Sequence, residues 1–153
     1  MHRLKVFPYY NLQHERMKTG RSATMHNHDV ILAELGDRLG LSLTFDENSQ
    51  CLLILDQKLM VSIRKETSAW LFYGLIEADV QWREKAFWQT ALTINLDLVK
   101  SGGGSISYEP DSCALMYVHC LEIKRLDVDS AYAFLESFVD QLEGIGKHPL
   151  FQQ

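Results

Sequence analysis

A histidine and a cysteine stand next to each other in residues 113–121, where His119 precedes Cys120. A thiol beside an imidazole is the pair that cysteine-based nucleophilic catalysis requires, and Glu109 supplies a carboxylate earlier in the same region. Consecutive side chains of a β-strand point to opposite faces, so a strand here separates the thiol from the imidazole. The pattern therefore favours a packed or interfacial strand, and we predict no catalytic residue.

A second candidate for chemistry is the pair His26 and His28, which could hold zinc or copper on an extended segment. No third ligand of matching character lies nearby in the sequence, and Asp29 belongs to a polar lead-in to a helix. We therefore interpret the segment as a helix start and predict no metal and no cofactor.

The segment KSGGGS at residues 100–105 shares its glycine content with phosphate-binding loops. It follows a predicted helix and precedes a predicted strand, which is the reverse of the order in a phosphate-cradling loop, and no Lys-Ser or Lys-Thr pair comes after it. We interpret the segment as a hinge.

The 153 residues are enough for one domain with its own hydrophobic core. Apolar residues make up 46% of the chain and charged residues 23%, as in ordinary globular proteins. No apolar run approaches the about 20 residues that span a bilayer, and the first residues lack the apolar stretch of a secretory signal. The sequence therefore predicts a cytoplasmic protein without membrane insertion.

Charge and cysteine content narrow the choice of partner. The three cysteines lie in apolar segments without paired spacing, which predicts buried free thiols. The formal net charge of −5 argues against nucleic acid, because phosphate binding requires a clustered positive surface. An acidic surface leaves a basic or amphipathic polypeptide open as partner.

The first half of the chain predicts a helix followed by strands. Residues 1–26 are basic, rich in histidine and without a sustained period, and are predicted to be a poorly ordered N-terminal extension. Helix one is predicted from Asn27 or Asp29, either of which can cap it, to Gly40. Polar clusters then separate four apolar segments, at residues 41–45, 50–56, 59–65 and 70–77. These predict antiparallel strands joined by short turns.

The second half predicts a helix, a hairpin and a last helix. Helix two, over residues 83–99, has an apolar arc too broad for packing on one side, and glycines end it. A hairpin turns at Pro110, and its second strand is apolar on both faces. Helix three begins at the cap Asp127, and the tail after Pro149 is predicted to fray. The elements predict an α+β domain over residues 27–147, with a tail at residues 148–153.

Three of these elements carry apolar side chains on two faces: the strand around residues 52–55, helix two, and the strand at residues 113–121. One small core cannot cover all of them, and exposed apolar surface of that extent is typical of a protein interface. A homodimer would bury one such face over about 1,600 Å². The other face is then free to bind a client protein.

The order helix, strand run, helix, glycine segment, hairpin and helix, together with FWQTAL, GGGSISYEPDS and ALMYVHCLEI, resembles the class I type III secretion chaperones, the CesT or Tir-chaperone family. The resemblance extends over about residues 29–146. It implies a homodimeric α+β fold of the order α-β-β-β-α-β-β-α, in which a twisted antiparallel sheet carries three helices.

The resemblance also implies a function. The protein is expected to be a cytoplasmic bacterial chaperone without enzymatic activity or cofactor. It would bind the N-terminal segment of one or more effectors and keep that segment soluble, non-globular and ready for secretion, with the export ATPase as a further candidate partner. Two alternatives stay open. One is a small-molecule-binding or enzymatic domain using Glu109, His119 and Cys120, and the other is a regulatory adaptor that sequesters a partner protein.

The resemblance finally implies which residues bind. Helix one and the first strands are expected to form apolar grooves, where an effector lays down helices and adds a strand at a sheet edge. The groove residues predicted on this basis are Leu35, Leu39, Leu43, Phe45, Leu53, Leu55, Met60 and Ile63. Helix two and the hairpin are expected to form the dimer interface. Its predicted residues are Trp88, Leu92, Asn95, Ile106, Tyr108, Leu115, Met116, Tyr117 and Val118.

Overall fold

The computed structural model describes residues 25–122, 124 and 126–152. The residues before Met25, which make up most of the predicted N-terminal extension, lie outside the described residues. The described elements follow in the order α1 (Met25–Leu39), β1 (Gln50–Leu55), β2 (Leu59–Lys65), β3 (Ala69–Glu77), α2 (Lys85–Lys100), β4 (Ser105–Glu109), β5 (Ala114–Glu122) and α3 (Val128–Gly146), with 3-10 turns at Val80–Trp82 and Pro149–Phe151. The predicted α+β class and element order are confirmed.

The five strands form one antiparallel sheet in the order β1-β2-β3-β5-β4. A type I′ turn connects β1 to β2, because Asp56 and Gln57 both have positive φ, of 50° and 62°. The Lys58 N–H closes this turn by donating to the Leu55 carbonyl at 3.1 Å. Lys58 is an extra residue between the turn and the ladder, since Leu55 lies opposite Leu59 and Leu53 opposite Val61.

One face of the sheet carries the helices and forms the core. Trp70, Phe72 and Tyr117 have no exposed surface there. Phe72 packs against Phe134 and Phe138 of α3, with ring centroids 4.9 and 5.6 Å apart. Burying aromatic rings of this size contributes a large share of the hydrophobic stabilisation. The side chains that alternate with these core residues therefore point to the opposite face.

The glycines after α2 end the helix and let two segments approach closely. Gly102 has φ of 78°, and the Gly103 N–H donates to the Leu98 carbonyl at 3.0 Å, as in a Schellman motif. A Cβ at Gly104 would overlap the carbonyl oxygen of Val118 in β5, so only glycine fits at this crossing. The segment interpreted as a hinge is thus a helix end followed by a tight crossing.

Residues 41–45 do not form a strand, contrary to the prediction, since Leu41 lies in a bend and residues 42–45 have no regular secondary structure. The Asp46 carboxylate accepts the amide hydrogens of Asn48 and Gln50, at 2.8 and 2.9 Å. This turn folds the segment back at the start of β1, so Leu43 packs into the core, 7% exposed, without pairing in the sheet. Helix α1 also begins at Met25 rather than at Asn27 or Asp29.

Both ends of the last helix are well anchored. The Asp127 carboxylate accepts the Ser130 N–H at 2.7 Å, which confirms the predicted cap. The tail does not fray as predicted, because Phe151 packs edge-on against Phe87 of α2, with ring centroids 6.0 Å apart. Among the cysteines, Cys51 is a buried free thiol as predicted, whereas Cys120 is exposed.

Candidate functional site

Strand β1 lies at an edge of the sheet. Half of its backbone N–H and C=O groups bond to β2, and the other half point away from the sheet. The Ser49 carbonyl accepts the Lys65 N–H at 2.8 Å, which sets the phase of the β1–β2 ladder. Hydrogen-bonded and non-bonded pairs alternate in an antiparallel ladder. The N–H and C=O groups of Gln50, Leu52 and Ile54 therefore point outward.

Part of this edge is already satisfied. Asp46 accepts the Gln50 N–H through its carboxylate and donates its own N–H to the Gln50 carbonyl at 2.8 Å. No other described residue provides a backbone partner for the outward groups of Leu52 and Ile54. Four backbone groups are thus available for an added strand.

An apolar surface continues from this edge across the uncovered side of the sheet. Leu52 is 49% exposed and Met60 is 41% exposed. Further partly or fully exposed residues of the same side are Ile54, Leu71, Tyr73, Leu75, Met116, Val118 and Cys120. We call Leu52, Met60 and these seven residues the open face. An exposed apolar face next to a free edge is the arrangement that accepts an extended peptide.

The opposite edge of the sheet, strand β4, is partly covered by α2. The Asn95 side-chain oxygen of α2 accepts the Ile106 N–H of β4 at 2.6 Å. Just before β4, the Gly104 N–H donates to the hydroxyl oxygen of Tyr117 at 2.9 Å. Helix α2 therefore satisfies one outward group of β4, whereas no described helix bonds to the outward groups of Leu52 and Ile54 in β1.

Helix α2 presents a second apolar surface. Leu92, Leu96 and Val99, which we call the α2 stripe, are 64%, 52% and 53% exposed. Their spacing of four and three residues places them on one side of the helix. Trp88 extends this side and packs edge-on against Tyr108, with ring centroids 5.6 Å apart.

The structure places most predicted groove residues in the core. Leu35, Leu43, Leu53, Leu55 and Ile63 are at most 7% exposed, because they lie on the helix-covered side of the sheet or on the inner side of α1. The two partly buried members are Leu39 and Phe45. The remaining predicted groove residue, Met60, is exposed and belongs to the open face.

The predicted dimer residues fall into three places. Trp88, Leu92 and Tyr108 lie on or beside the α2 stripe, and Asn95 is half-buried against β4. The buried members are Ile106, Leu115 and Tyr117, at 8%, 2% and 0% exposure. Met116 and Val118 belong to the open face. The sequence could not separate these groups, because they lie in neighbouring elements (α2, β4 and β5) that are all rich in apolar residues.

His28 has a structural role in this fold. The indole N–H of Trp70 donates to Nδ1 of His28 at 2.8 Å. Partial burial lowers the pKa of His28, and the nearby Lys65 ammonium lowers it further, against a smaller opposite effect of Asp29. The neutral imidazole therefore holds the first turn of α1 against β3. Among the described residues, no group of three or more histidine, cysteine or acidic residues is placed to hold a metal ion.

The polar groups of the enzymatic alternative do not converge. His119 packs on Phe134 at 4.7 Å between ring centroids, and burial lowers its pKa. Cys120 is exposed on the open face. The Glu109 carboxylate accepts hydrogen bonds from Ser112, which lower its pKa, and it stabilises the bend between β4 and β5. His119 and Cys120 thus lie on opposite faces of β5.

The comparison with protein families identifies the chain. The model of the Tir chaperone protein (CesT) family matches residues 30–145, from the first turns of α1 to the end of α3. The chain belongs to the CesT family. The match includes the β1 edge, the open face and the α2 stripe.

Solved structures show that this CesT-family chain shares its fold with known complexes. A chain of the HopA1–SchA chaperone–effector complex superimposes with a TM-score of 0.71 at 15% identity, over 84% of this chain and 99% of that one. A chain of the ExsC–ExsE complex gives 0.70 at 16% identity, over 80% and 93%. A chain of the heterodimeric ExoU–SpcU complex of the Pseudomonas aeruginosa type III secretion system gives 0.57 at 15%, over 80% and 96%.

No helix in the described part of the CesT-family chain is long and apolar enough to cross a membrane.

Proposed function

We propose that this CesT-family protein is a type III secretion chaperone that binds the N-terminal segment of one or more effector proteins in the bacterial cytoplasm. It does so without enzymatic activity and without a cofactor. The observation that carries the proposal is the free β1 edge beside the open face, in a chain that matches the family model from α1 to α3. The named complexes of similar fold support it, because one is a chaperone bound to its effector.

Strand addition provides the first part of the binding energy. An extended effector segment bonds to the outward groups of Leu52 and Ile54, and each backbone hydrogen bond contributes a net of about 1 kcal/mol. These bonds do not depend on side-chain identity. They therefore suit a protein that accepts more than one client.

Apolar contact with the open face provides selectivity. Side chains of the added strand lie next to Leu52, and a continuing client helix covers Met60 and Tyr73. Burial of apolar surface contributes about 25 cal/mol per Å². Because the client gains these contacts as a strand or helix rather than as a folded domain, it stays non-globular and ready for export.

The predicted groove residues support this surface from below. Leu53 and Leu55 alternate with Leu52 and Ile54 and anchor β1 in the core. Their burial fixes the position of the edge. We therefore assign direct client contact to Leu52, Ile54 and Met60.

The α2 stripe is proposed as the homodimer interface. Its three exposed aliphatic side chains, with Trp88 and Tyr108 beside them, form an apolar surface on the helix that covers β4. Since α2 lies beside β4, at the opposite end of the sheet from β1, pairing two copies through α2 leaves both β1 edges free. A dimer of this kind offers one client site on each subunit, and the export ATPase would meet the loaded dimer.

The test is co-expression with the genes next to this one, followed by affinity purification and light scattering. The wild-type protein should co-purify with a neighbouring effector and protect its N-terminal segment from proteolysis. Leu52→Glu combined with Met60→Glu should weaken capture at least about tenfold, because charge replaces apolar contact.

The matched control is Thr67→Glu, in the exposed turn between β2 and β3. It adds charge away from the β1 edge and should leave capture unchanged. Capture that is equally strong in the double variant would contradict the assignment of the client surface. Capture of a transcription factor in place of an effector would favour a regulatory adaptor.

A further inference from the structure

Sulfur-containing side chains are concentrated on the open face. The strands of the sheet contain two methionines, Met60 in β2 and Met116 in β5, and both belong to this face. The exposed thiol of Cys120 lies there as well, whereas Cys51 of β1 is buried on the helix-covered side. Three of the four sulfur-containing side chains of the strands therefore lie on the proposed client surface.

Met60 is the more accessible of the two methionines. It is 41% exposed, whereas Met116 is only partly exposed and lies nearer the centre of the sheet. A peroxide converts the thioether of methionine into a polar sulfoxide, and it must reach the sulfur atom to do so. Exposure therefore favours oxidation of Met60 over Met116.

We propose that Met60 is a reversible oxidation site through which peroxides weaken client binding at the open face. The proposal rests on the proposed function, in which a client covers this residue. It adds a chemical control of loading. The unloaded chaperone reacts with the peroxide, whereas a bound client shields the sulfur.

The reaction transfers one oxygen atom. A lone pair of the Met60 sulfur attacks one oxygen of hydrogen peroxide, and the O–O bond breaks as the S–O bond forms. The departing hydroxide takes the proton from the transferred oxygen and leaves as water. The sulfur loses two electrons and the peroxide gains them. Methionine sulfoxide reductases, which draw electrons from thiols, restore the thioether.

The neighbours of Met60 across the ladder offer the sulfoxide no hydrogen-bond donor. Ile54 lies opposite it in β1. The pairing of Val61 with Gly74 places Leu75 beside it in β3. Water bonds to the sulfoxide oxygen in the unloaded protein, but an apolar client side chain excludes that water and leaves the oxygen unpaired. Oxidation therefore opposes client binding more than it opposes folding.

Met60 lies where the two parts of a bound client meet. Its neighbour Ile54 carries outward backbone groups for the added strand, and its neighbour Leu75 lies on the central strand of the open face. The flexible, unbranched thioether adapts to side chains of different shape. Oxidation of this one residue therefore affects strand addition and apolar contact together, whichever client binds.

The first measurements need no client. The full chain is treated with hydrogen peroxide and then with dithiothreitol, which reverses sulfenic acids and disulfides but leaves methionine sulfoxide. Peptide mass spectrometry should find Met60 oxidised at least about threefold faster than Met116. Binding of the fluorescent probe anilinonaphthalene sulfonate, which reports exposed apolar surface, should then fall in the wild type but not in Met60→Leu. Circular dichroism verifies that the treated proteins remain folded.

The second measurement uses the captured effector. The same treatment should weaken capture by the wild type at least about fivefold, and methionine sulfoxide reductase should restore it. Met60→Leu keeps an apolar side chain of similar volume without the reactive sulfur. Its capture should not change on treatment, relative to its own untreated level. Met116→Leu is the matched control on the same face and should respond to peroxide as the wild type does.

Unchanged probe binding or unchanged capture after complete oxidation of Met60 would overturn the proposal. Equal peroxide sensitivity in Met60→Leu, or lost sensitivity in Met116→Leu, would also overturn it, because the effect would then belong to another sulfur. If the untreated protein captures no effector, the proposed function fails. Mass spectrometry and probe binding still decide in that case whether Met60 is oxidised and whether its oxidation changes the open face.

Discussion

The bond between Trp70 and His28 shows how one side chain positions a whole element. Trp70 has no exposed surface, so its indole N–H depends on a protein acceptor. Nδ1 of His28 provides it at 2.8 Å, and Phe45 packs edge-on against the indole at 5.5 Å between ring centroids. The histidine that suggested a metal ligand in the sequence is thus a structural acceptor between α1 and β3.

Replacing His28 tests this role. His28→Ala leaves the buried indole N–H without its acceptor and should lower the free energy of unfolding by about 1–3 kcal/mol. His28→Gln keeps a side-chain oxygen that can accept the bond and should lose less than half as much. Urea denaturation measures both variants. Equal losses would show that packing, rather than the hydrogen bond, is what His28 contributes.

The same residue makes stability depend on pH. The folded pKa of His28 lies below its ordinary value of 6.5, because burial and the Lys65 ammonium disfavour the imidazolium. The unfolded chain therefore binds more protons below pH 6.5, and the stabilisation present above that pH is lost as pH falls toward the folded pKa.

The stability lost between about pH 7.5 and 5.5 is small, since His28 is partly exposed. His119, whose pKa burial also lowers, adds a loss of the same sign. Thermal unfolding across this pH range should therefore show a shallower slope in His28→Gln than in the wild type, without abolishing it. An unchanged slope would show that His28 does not titrate between the two states.

At the scale of elements, the sequence predicted those whose signals are local. The cap of α3 at Asp127 and the end of α2 at the glycines follow from side-chain and backbone chemistry within a few residues. Residues 41–45 alternate like a strand but are turned back by Asp46, whose hydrogen bonds an alternation pattern does not contain.

The proposed client surface could not be predicted for a related reason. Residues 52–55 are all aliphatic, so the sequence carries no signal for which of them face inward. Pairing with β2 determines which residues of β1 face the core. It places Leu53 opposite Val61 in the core and leaves Leu52 exposed. Leu55→Glu, an obvious choice from the sequence, would bury a charge in the core and unfold the domain rather than report on client binding.

The α2 stripe can be tested directly. Leu92→Glu combined with Leu96→Glu places two charges on the proposed interface and should convert a dimer into a folded monomer, by weakening self-association more than about a hundredfold. Light scattering measures the mass, and circular dichroism verifies the fold.

Thr90→Glu is the control for this test, because Thr90 is exposed on a different side of α2. It should remain dimeric. A double variant that keeps its dimeric mass would show that self-association uses another surface, such as the open face.

At the scale of the molecule, the sheet separates two kinds of surface that the sequence showed only as surplus apolar residues. The helix-covered side buries the large side chains, and the other side remains open. The match to the CesT family over residues 30–145 supports the proposed role of the open face in client binding. Net charge argued against nucleic acid as a partner. It could not show which side of the sheet is uncovered, because that depends on how the sheet and helices pack.

The bond from Ile106 to Asn95 has a consequence for aggregation. A sheet with two open edges can add copies at both ends and grow into a fibre. The Asn95 side chain of α2 already accepts the Ile106 N–H of β4, so a strand from another copy would have to replace this bond before it could pair there. Edge-to-edge growth is therefore less favourable at β4 than at β1.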